Sequence, residues 1–164
     1  MTSVNNQLAT KYQQKTDKQH ILDNPDTYIG SIEKIDSEEW VYAEDKIIKK
    51  NIEFIPGLFK LFDEGIVNCR DHVIRMSQAI VNKQDNCLPV TYITINISDD
   101  GTITMINDGN GIDVAEHPEH KIWIPEMIFG HLRTSTNYDK TEKKIVGGKN
   151  GFGFKLVLIW SSYG

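Results

Sequence analysis

Cysteine is scarce in this chain: two in 164 residues, Cys69 and Cys87. Neither belongs to a cluster with metal-ligand spacing, which sets aside a zinc module or a disulfide-stapled scaffold and points to a reduced intracellular compartment. Positive charge is also in deficit. With 18 basic against 23 acidic residues the net charge is -5, so a broad nucleic-acid-binding surface made from this chain alone is not expected. The opening Met1-Thr2-Ser3-Val4-Asn5-Asn6-Gln7 holds no apolar signal core, no apolar run approaches membrane-spanning length, and neither a repeat nor a low-complexity tract occurs. What is present is 39% apolar and 9% aromatic residues in one ordinary domain's length, enough to build a sizeable core.

Residues 1–19 are polar and lysine-rich, with little to bury except Tyr12, and read as a mobile arm. Asn24-Pro25-Asp26 signals a turn, and Tyr28-Ile29-Gly30 a short extended piece. Strand-like runs surround Trp40-Val41-Tyr42 and Ile52-Glu53-Phe54-Ile55; Pro56-Gly57 stops the second and opens a helix that runs on toward Ile80. At helical spacing Phe59, Phe62, Ile66, Cys69 and Val73 fall on one side, and Glu64, Asn68, Asp71, His72 and Arg75 on the other. Val90 to Ser98 alternates strictly, with Ile93, Ile95 and Ile97 on one face, and Asp99-Asp100-Gly101 turns it into Thr102-Ile103-Thr104-Met105-Ile106. A short helix is expected from Ile124-Pro125 to Leu132, followed by the polar word Thr134-Ser135-Thr136-Asn137-Tyr138-Asp139 and a charged loop that reads as a flexible lid.

Three stretches carry chemistry. Glu64 and Asn68, four apart, stack on the polar side of the long helix. A carboxylate there can align water and take its proton, and an amide oxygen is a hard ligand suited to magnesium carrying phosphates. Asn107-Asp108-Gly109-Asn110-Gly111-Ile112 puts an acid at a strand end where glycines admit a close backbone approach. Such an acid suits adenine, whose exocyclic amine donates hydrogens that an ionised carboxylate accepts. Gly147-Gly148-Lys149-Asn150-Gly151-Phe152-Gly153-Phe154-Lys155 has the composition of a phosphate cradle leading into a helix. It matches neither the Walker pattern nor the dinucleotide fingerprint. Taken singly, each stretch has a plainer reading: an amphipathic helix with a solvated face, a turn, a flexible linker.

Taken together and in order, the three motifs resemble those of the Bergerat-fold (GHKL) ATPases, a superfamily that includes type II DNA topoisomerases, MutL proteins, heat-shock chaperones and histidine kinases. Lys11-Tyr12-Gln13-Gln14-Lys15-Thr16, Pro25-Asp26-Thr27-Tyr28-Ile29-Gly30-Ser31, Ile55-Pro56-Gly57-Leu58-Phe59-Lys60, Ile124-Pro125-Glu126-Met127-Ile128-Phe129-Gly130 and the Thr134 to Asp139 word narrow the likeness to the N-terminal ATPase region of eukaryotic and viral DNA topoisomerase II. The resemblance implies an α/β fold, a two-layer sandwich of helices on a mixed, mostly antiparallel sheet, with residues 1–30 as an N-terminal strap and 31–164 as the ATP-binding domain. It implies ATP and Mg2+ as ligands, Glu64 as the general base, and Asn68 as the magnesium ligand. Asp108 would meet the adenine amine, Ser135, Thr136 and Asn137 would hydrogen-bond the nucleotide, and Arg75 would lie beside its phosphates. Gly148, Asn150, Gly151, Phe152, Gly153 and Lys155 would enclose the triphosphate.

Tyr28 would reach from one subunit's strap to the other subunit's nucleotide, linking ATP binding to homodimer closure in the full-length context. The expected setting is intracellular, in the nucleus or a viral replication compartment. DNA contact would lie in transducer, cleavage and C-terminal domains not found in these residues, so DNA cleavage is not expected of this chain and hydrolysis should be slow or absent. The alternative is a truncated, non-catalytic module for nucleotide binding or dimerisation. Four positions depart from the family pattern: Gly65 replaces an aliphatic residue, at a cost of about 1 kcal/mol in helix propensity. His72 stands where an asparagine contacting the nucleotide is usual, Asp113 replaces a proline, and Phe154 replaces a small residue.

Overall fold

Helix α3, Pro56–Val81, is the longest element of the computed structural model, which describes residues 11, 14–132, 134 and 151–163. At 26 residues it is about 39 Å long. Pro56 starts it with a pre-set φ and no amide to leave unsatisfied. Gly57 lets the preceding segment lie close: its amide donates to the Ser31 carbonyl at 2.8 Å, and a methyl group there would stand 3.1 Å from both that oxygen and Ile29 Cδ1. The far end closes on Asn82 and on Lys83 in the left-handed region (φ 55°), with Gln84 donating back to the Ala79 carbonyl.

Eight further elements precede or follow α3 among the described residues. In order they are α1 (Asp17–Asp23), α2 (Pro25–Tyr28), β1 (Ile35–Ala43), β2 (Lys46–Phe54), then α3, β3 (Ile93–Ile97), β4 (Ile103–Asn107), α4 (Ile124–Gly130) and α5 (Gly153–Trp160). Thr16 caps α1 by accepting from the Gln19 amide. Ile21 of α1, Ile29 after α2 and Leu156 of α5 form the buried apolar centre, with Tyr28, Leu61, Phe152 and Trp160 packed around it. The second half of the 1–30 arm is therefore held within the core of its own chain.

The strands form two separate antiparallel ribbons among the described residues. In the first, Glu44 and Asp45 both take positive φ, 53° and 57°, the geometry of a two-residue hairpin turn. Opposed pairs Trp40–Lys49 and Tyr42–Ile47 share one face, where Lys49 lies over the Trp40 ring and pairs with Glu38 at 3.0 Å. In the second ribbon the turn is pinned by Asp100, which accepts from Ser98 Oγ and the Thr102 amide; these bonds hold its carboxyl down at about 2. β4 lies against α3 through Met105, whose sulfur would be 2.6 Å from a methyl group on Gly65. Phe154 of α5 closes the same contact and stacks edge-on with Phe129 of α4.

Two expectations change. Tyr28 belongs to a helical turn, not an extended piece, because the Ile29 and Gly30 amides both return to the Pro25 carbonyl. The division of α3 into an apolar and a polar side is imperfect: Phe59 is 62% exposed and Asp71 only 3%. Burial along this helix follows the places where neighbours cross it, not a fixed stripe. The isoleucine face of β3 stays open, with Ile97 62% exposed, because the helix that covers the ribbon meets it at Met105. The start of the arm and the lid expected after Thr134 lie outside the described residues.

Candidate functional site

Helix α3 is a wall with two contact points. Glu64, Asn68 and His72 follow one another at four-residue spacing along one side, so their side chains stack over about 12 Å of helix. At the first contact point Glu64 meets the start of α5: its Oε2 would stand 3.3 Å from a methyl group on Gly153. The side chain is 16% exposed, and its Oε1 accepts from Lys60 Nζ at 2.8 Å. Lys60 also reaches Asp63 at 3.2 Å, and its pKa is raised, chiefly by Glu64. Asn68, one turn on, is exposed.

At the second contact point His72 meets the turn after β4. A methyl group on Gly109, where φ is 93°, would stand 3.5 Å from His72 Nε2, 3.3 Å from the Leu88 carbonyl and 2.8 Å from Val90 Cγ2, so glycine is the residue that fits. The backbone of Asn110 beside the His72 ring favours its charged form. Burial, then the charge of exposed Arg75, push its pKa down, against the pull of Asp108. Asn110 laces the turn to the preceding loop, accepting from the Leu88 amide at 2.6 Å and donating to the Asn86 carbonyl at 2.9 Å.

Asp108 is fixed from the same loop. One oxygen accepts the amides of Thr91 (2.7 Å) and Tyr92 (3.1 Å), and the other accepts the Thr91 hydroxyl at 2.6 Å. These bonds, Thr91's hydroxyl first, hold its pKa below the usual carboxylate value. A carboxylate has about four acceptor positions, so the oxygen bonded to Thr91 Oγ1 retains room for one more donor.

The end of the glycine stretch sits beside Glu64. Gly151 has φ 67°, and Phe152 packs against the Tyr28 ring with centroids 5.8 Å apart. Tyr28's hydroxyl pairs with His20 Nδ1 at 3.0 Å, so within one chain this tyrosine already borders the stretch. Lys155 is 6% exposed, and its ammonium donates at 2.8 Å to both the Thr134 and the Gly151 carbonyls. Burial pushes its pKa down. Phe152 at the N-cap of α5 provides no side-chain cap, and among the described residues the positive end of the helix is open to an anion.

Of the predicted site residues, α3 thus brings Glu64 to Gly153, with Gly151, Phe152 and Lys155 adjacent in chain, and brings His72 to the Asp108 turn. Ser135, Thr136, Asn137, Gly148 and Asn150 lie outside the described residues. Sequence reasoning missed Lys60, Thr91 and His20. Lys60 was legible, being one helical turn from Glu64; Thr91 is 17 residues from Asp108 and gives no local signal.

No family model matches the chain. It is 51% identical over 161 residues to a DNA topoisomerase 2 of Acanthamoeba polyphaga mimivirus and 46% identical over 157 residues to that of Saccharomyces cerevisiae. Each match covers 94% of this chain, but the chain spans only 12% and 10% of those relatives' lengths. The crystal structure of the ATPase region of Saccharomyces cerevisiae topoisomerase II superposes with a TM-score of 0.80 at 45% identity, over 91% of this chain and 37% of that one. The ATPase and transducer domains of DNA topoisomerase II from Balamuthia mandrillaris give 0.77 at 41% identity, over 90% and 36%. The mixed α/β fold is that of a topoisomerase II ATPase region, in keeping with a Bergerat-type sandwich.

Proposed function

This chain is a homologue of the N-terminal ATPase region of type II DNA topoisomerases, and on that premise we propose that it binds ATP along helix α3, base at the Asp108 turn and phosphates at the start of α5. The observation that carries the reading is the double contact of one helix, Glu64 against Gly153 and His72 against Gly109, which joins three stretches far apart in the chain. Asp108 is ionised and has one acceptor position left for the adenine amine. Gly151, Phe152 and Gly153 offer backbone amides at an uncapped helix start, and the Lys155 ammonium adds positive charge nearby. Ser135, Thr136, Asn137, Gly148 and Asn150 complete the nucleotide contacts in this reading; Arg75, expected beside the phosphates, is instead close enough to His72 to act on its charge and so belongs to the Asp108 end of α3.

Glu64 acts as the general base, aligning a water and accepting its proton as the water attacks the terminal phosphorus. Asn68 offers magnesium its amide oxygen, and the metal supplies charge neutralisation to the phosphates. Turnover by residues 1–164 alone is slow. DNA contact and cleavage are not assigned to this chain. In the full-length setting, inside the cell, a second copy joins through the 1–30 strap, and Tyr28 beside Phe152 is where closure and nucleotide occupancy meet.

Calorimetric titration with a non-hydrolysable ATP analogue tests the reading. The wild-type chain should bind in the presence of Mg2+, and Asp108→Ala should bind at least about tenfold more weakly, one good hydrogen bond to a charged group. Thr91→Val removes a donor to Asp108 without touching the adenine and separates lost support from lost recognition. Equal affinity in wild type and Asp108→Ala, or no heat with wild type, would overturn the assignment.

A further inference from the structure

The ion pair on the first turns of α3 has no good structural explanation as a helix stabiliser. Lys60 precedes Glu64 by four residues, the less favourable order for such a pair, and a cation near a helix start opposes the macrodipole. Its geometry has a different consequence. The two oxygens of the Glu64 carboxylate have separate surroundings: Oε1 is held by Lys60 Nζ at 2.8 Å, and Oε2 faces Gly153.

We propose that Lys60 is a positioning residue for Glu64: by taking one carboxylate oxygen it turns the other toward the start of α5, where the attacking water is held. The inference rests on the ATP reading given above. A base with one anchored oxygen loses rotational freedom before the substrate arrives, which is the role a third group plays for the base in other nucleophile–base pairs. Asp63, the other acid in reach of Lys60 at 3.2 Å, is one residue away on the helix and lacks a contact with Gly153 among the described residues.

The test compares Lys60→Met, Lys60→Arg and Asp63→Asn with the wild-type chain. Side-chain coupling constants report the Glu64 rotamers, calorimetry reports binding of the non-hydrolysable analogue, and long-incubation phosphate release reports turnover. Lys60→Met should release a single Glu64 rotamer into several and slow phosphate release by at least about tenfold, while analogue affinity stays within about threefold of wild type. Lys60→Arg should restore both properties, and Asp63→Asn should leave both unchanged. A single unchanged Glu64 rotamer in Lys60→Met, or undiminished phosphate release from it, would overturn the proposal. Absence of analogue binding by the wild type would instead overturn the ATP reading, and the rotamer measurement would still decide what Lys60 does.

Discussion

The two contact points of α3 are built from different materials. At the His72 end, the Asp108 turn is laced by hydrogen bonds: three into the carboxylate and two through the Asn110 side-chain amide. At the Glu64 end α3 meets β4 and α5 through glycine against side chain, Gly65 under Met105 and Gly153 under Glu64, while the polar bonds there run within α3, from Lys60 to Glu64, or from Lys155 to the Thr134 and Gly151 carbonyls. A network of directed bonds fixes geometry before any ligand arrives. A steric contact between glycines and flexible side chains can rearrange. In the ATP reading proposed above, the base would therefore meet a rigid end and the phosphates an adaptable one.

The largest effect should come from breaking the rigid end. Gly109→Ala introduces a methyl group 2.8 Å from Val90 Cγ2 at a φ of 93°, a conformation that favours glycine. Strain and overlap together should cost about 2–4 kcal/mol in a urea melt. A loss below about 1 kcal/mol would mean that the turn yields, and the contrast between the two ends would fail.

Acid is a gentler probe of the same end. His72 is held below its ordinary pKa of 6.5, first by burial and then by Arg75. A group whose folded pKa is depressed contributes stability that is present above the unfolded pKa and lost as pH falls through the folded one. Stability of the wild-type chain should therefore decline as pH drops below about 6.5, with protonation of His72 opposed by its surroundings. His72→Asn keeps a polar side chain but has no proton to take up, so its melting temperature should fall less between pH 7 and pH 5. Parallel curves for the two proteins would remove His72 as the cause.

Much of this fold was legible because its signals are local. Strict alternation and Asp99-Asp100-Gly101 located the β3–β4 hairpin, Pro56-Gly57 located the start of α3, and the glycine stretch led into α5 as expected. Glu64 and Asn68 could be placed on one side of a helix from spacing alone. What spacing does not carry is the crossing of elements. That Asp71 is buried while Phe59 is exposed depends on where β4 and α5 meet the helix. Asp108 was found through its glycines, but its partners Thr91 and Tyr92 come from a loop whose approach no periodicity encodes. Likewise the helical turn at Pro25–Tyr28 arises from two amides sharing one carbonyl, which a turn signal alone does not distinguish from an extended link.

The smallest effect should come from the adaptable end, and it bears on two of the departures from the family pattern. Gly65 is a small residue where an aliphatic one is usual, and Phe154 a large residue where a small one is usual; in space the Phe154 ring edge lies 4.0 Å from a methyl group built on Gly65. A larger side chain at position 65 would therefore meet the Phe154 ring. A methyl group on Gly65 would come within 2.6 Å of Met105 Sδ, yet Met105 is unbranched and can swing its thioether aside. Gly65→Ala also gains about 1 kcal/mol of helix propensity. The two terms nearly cancel, and the net change in a urea melt should stay within about 1 kcal/mol of zero. Gly65→Ile has no such escape and should destabilise by about 1–3 kcal/mol, with part of that loss recovered when Phe154→Ala is added. Strict additivity of the two substitutions would show that Gly65 and Phe154 do not share a contact and that the phosphate end is as rigid as the other.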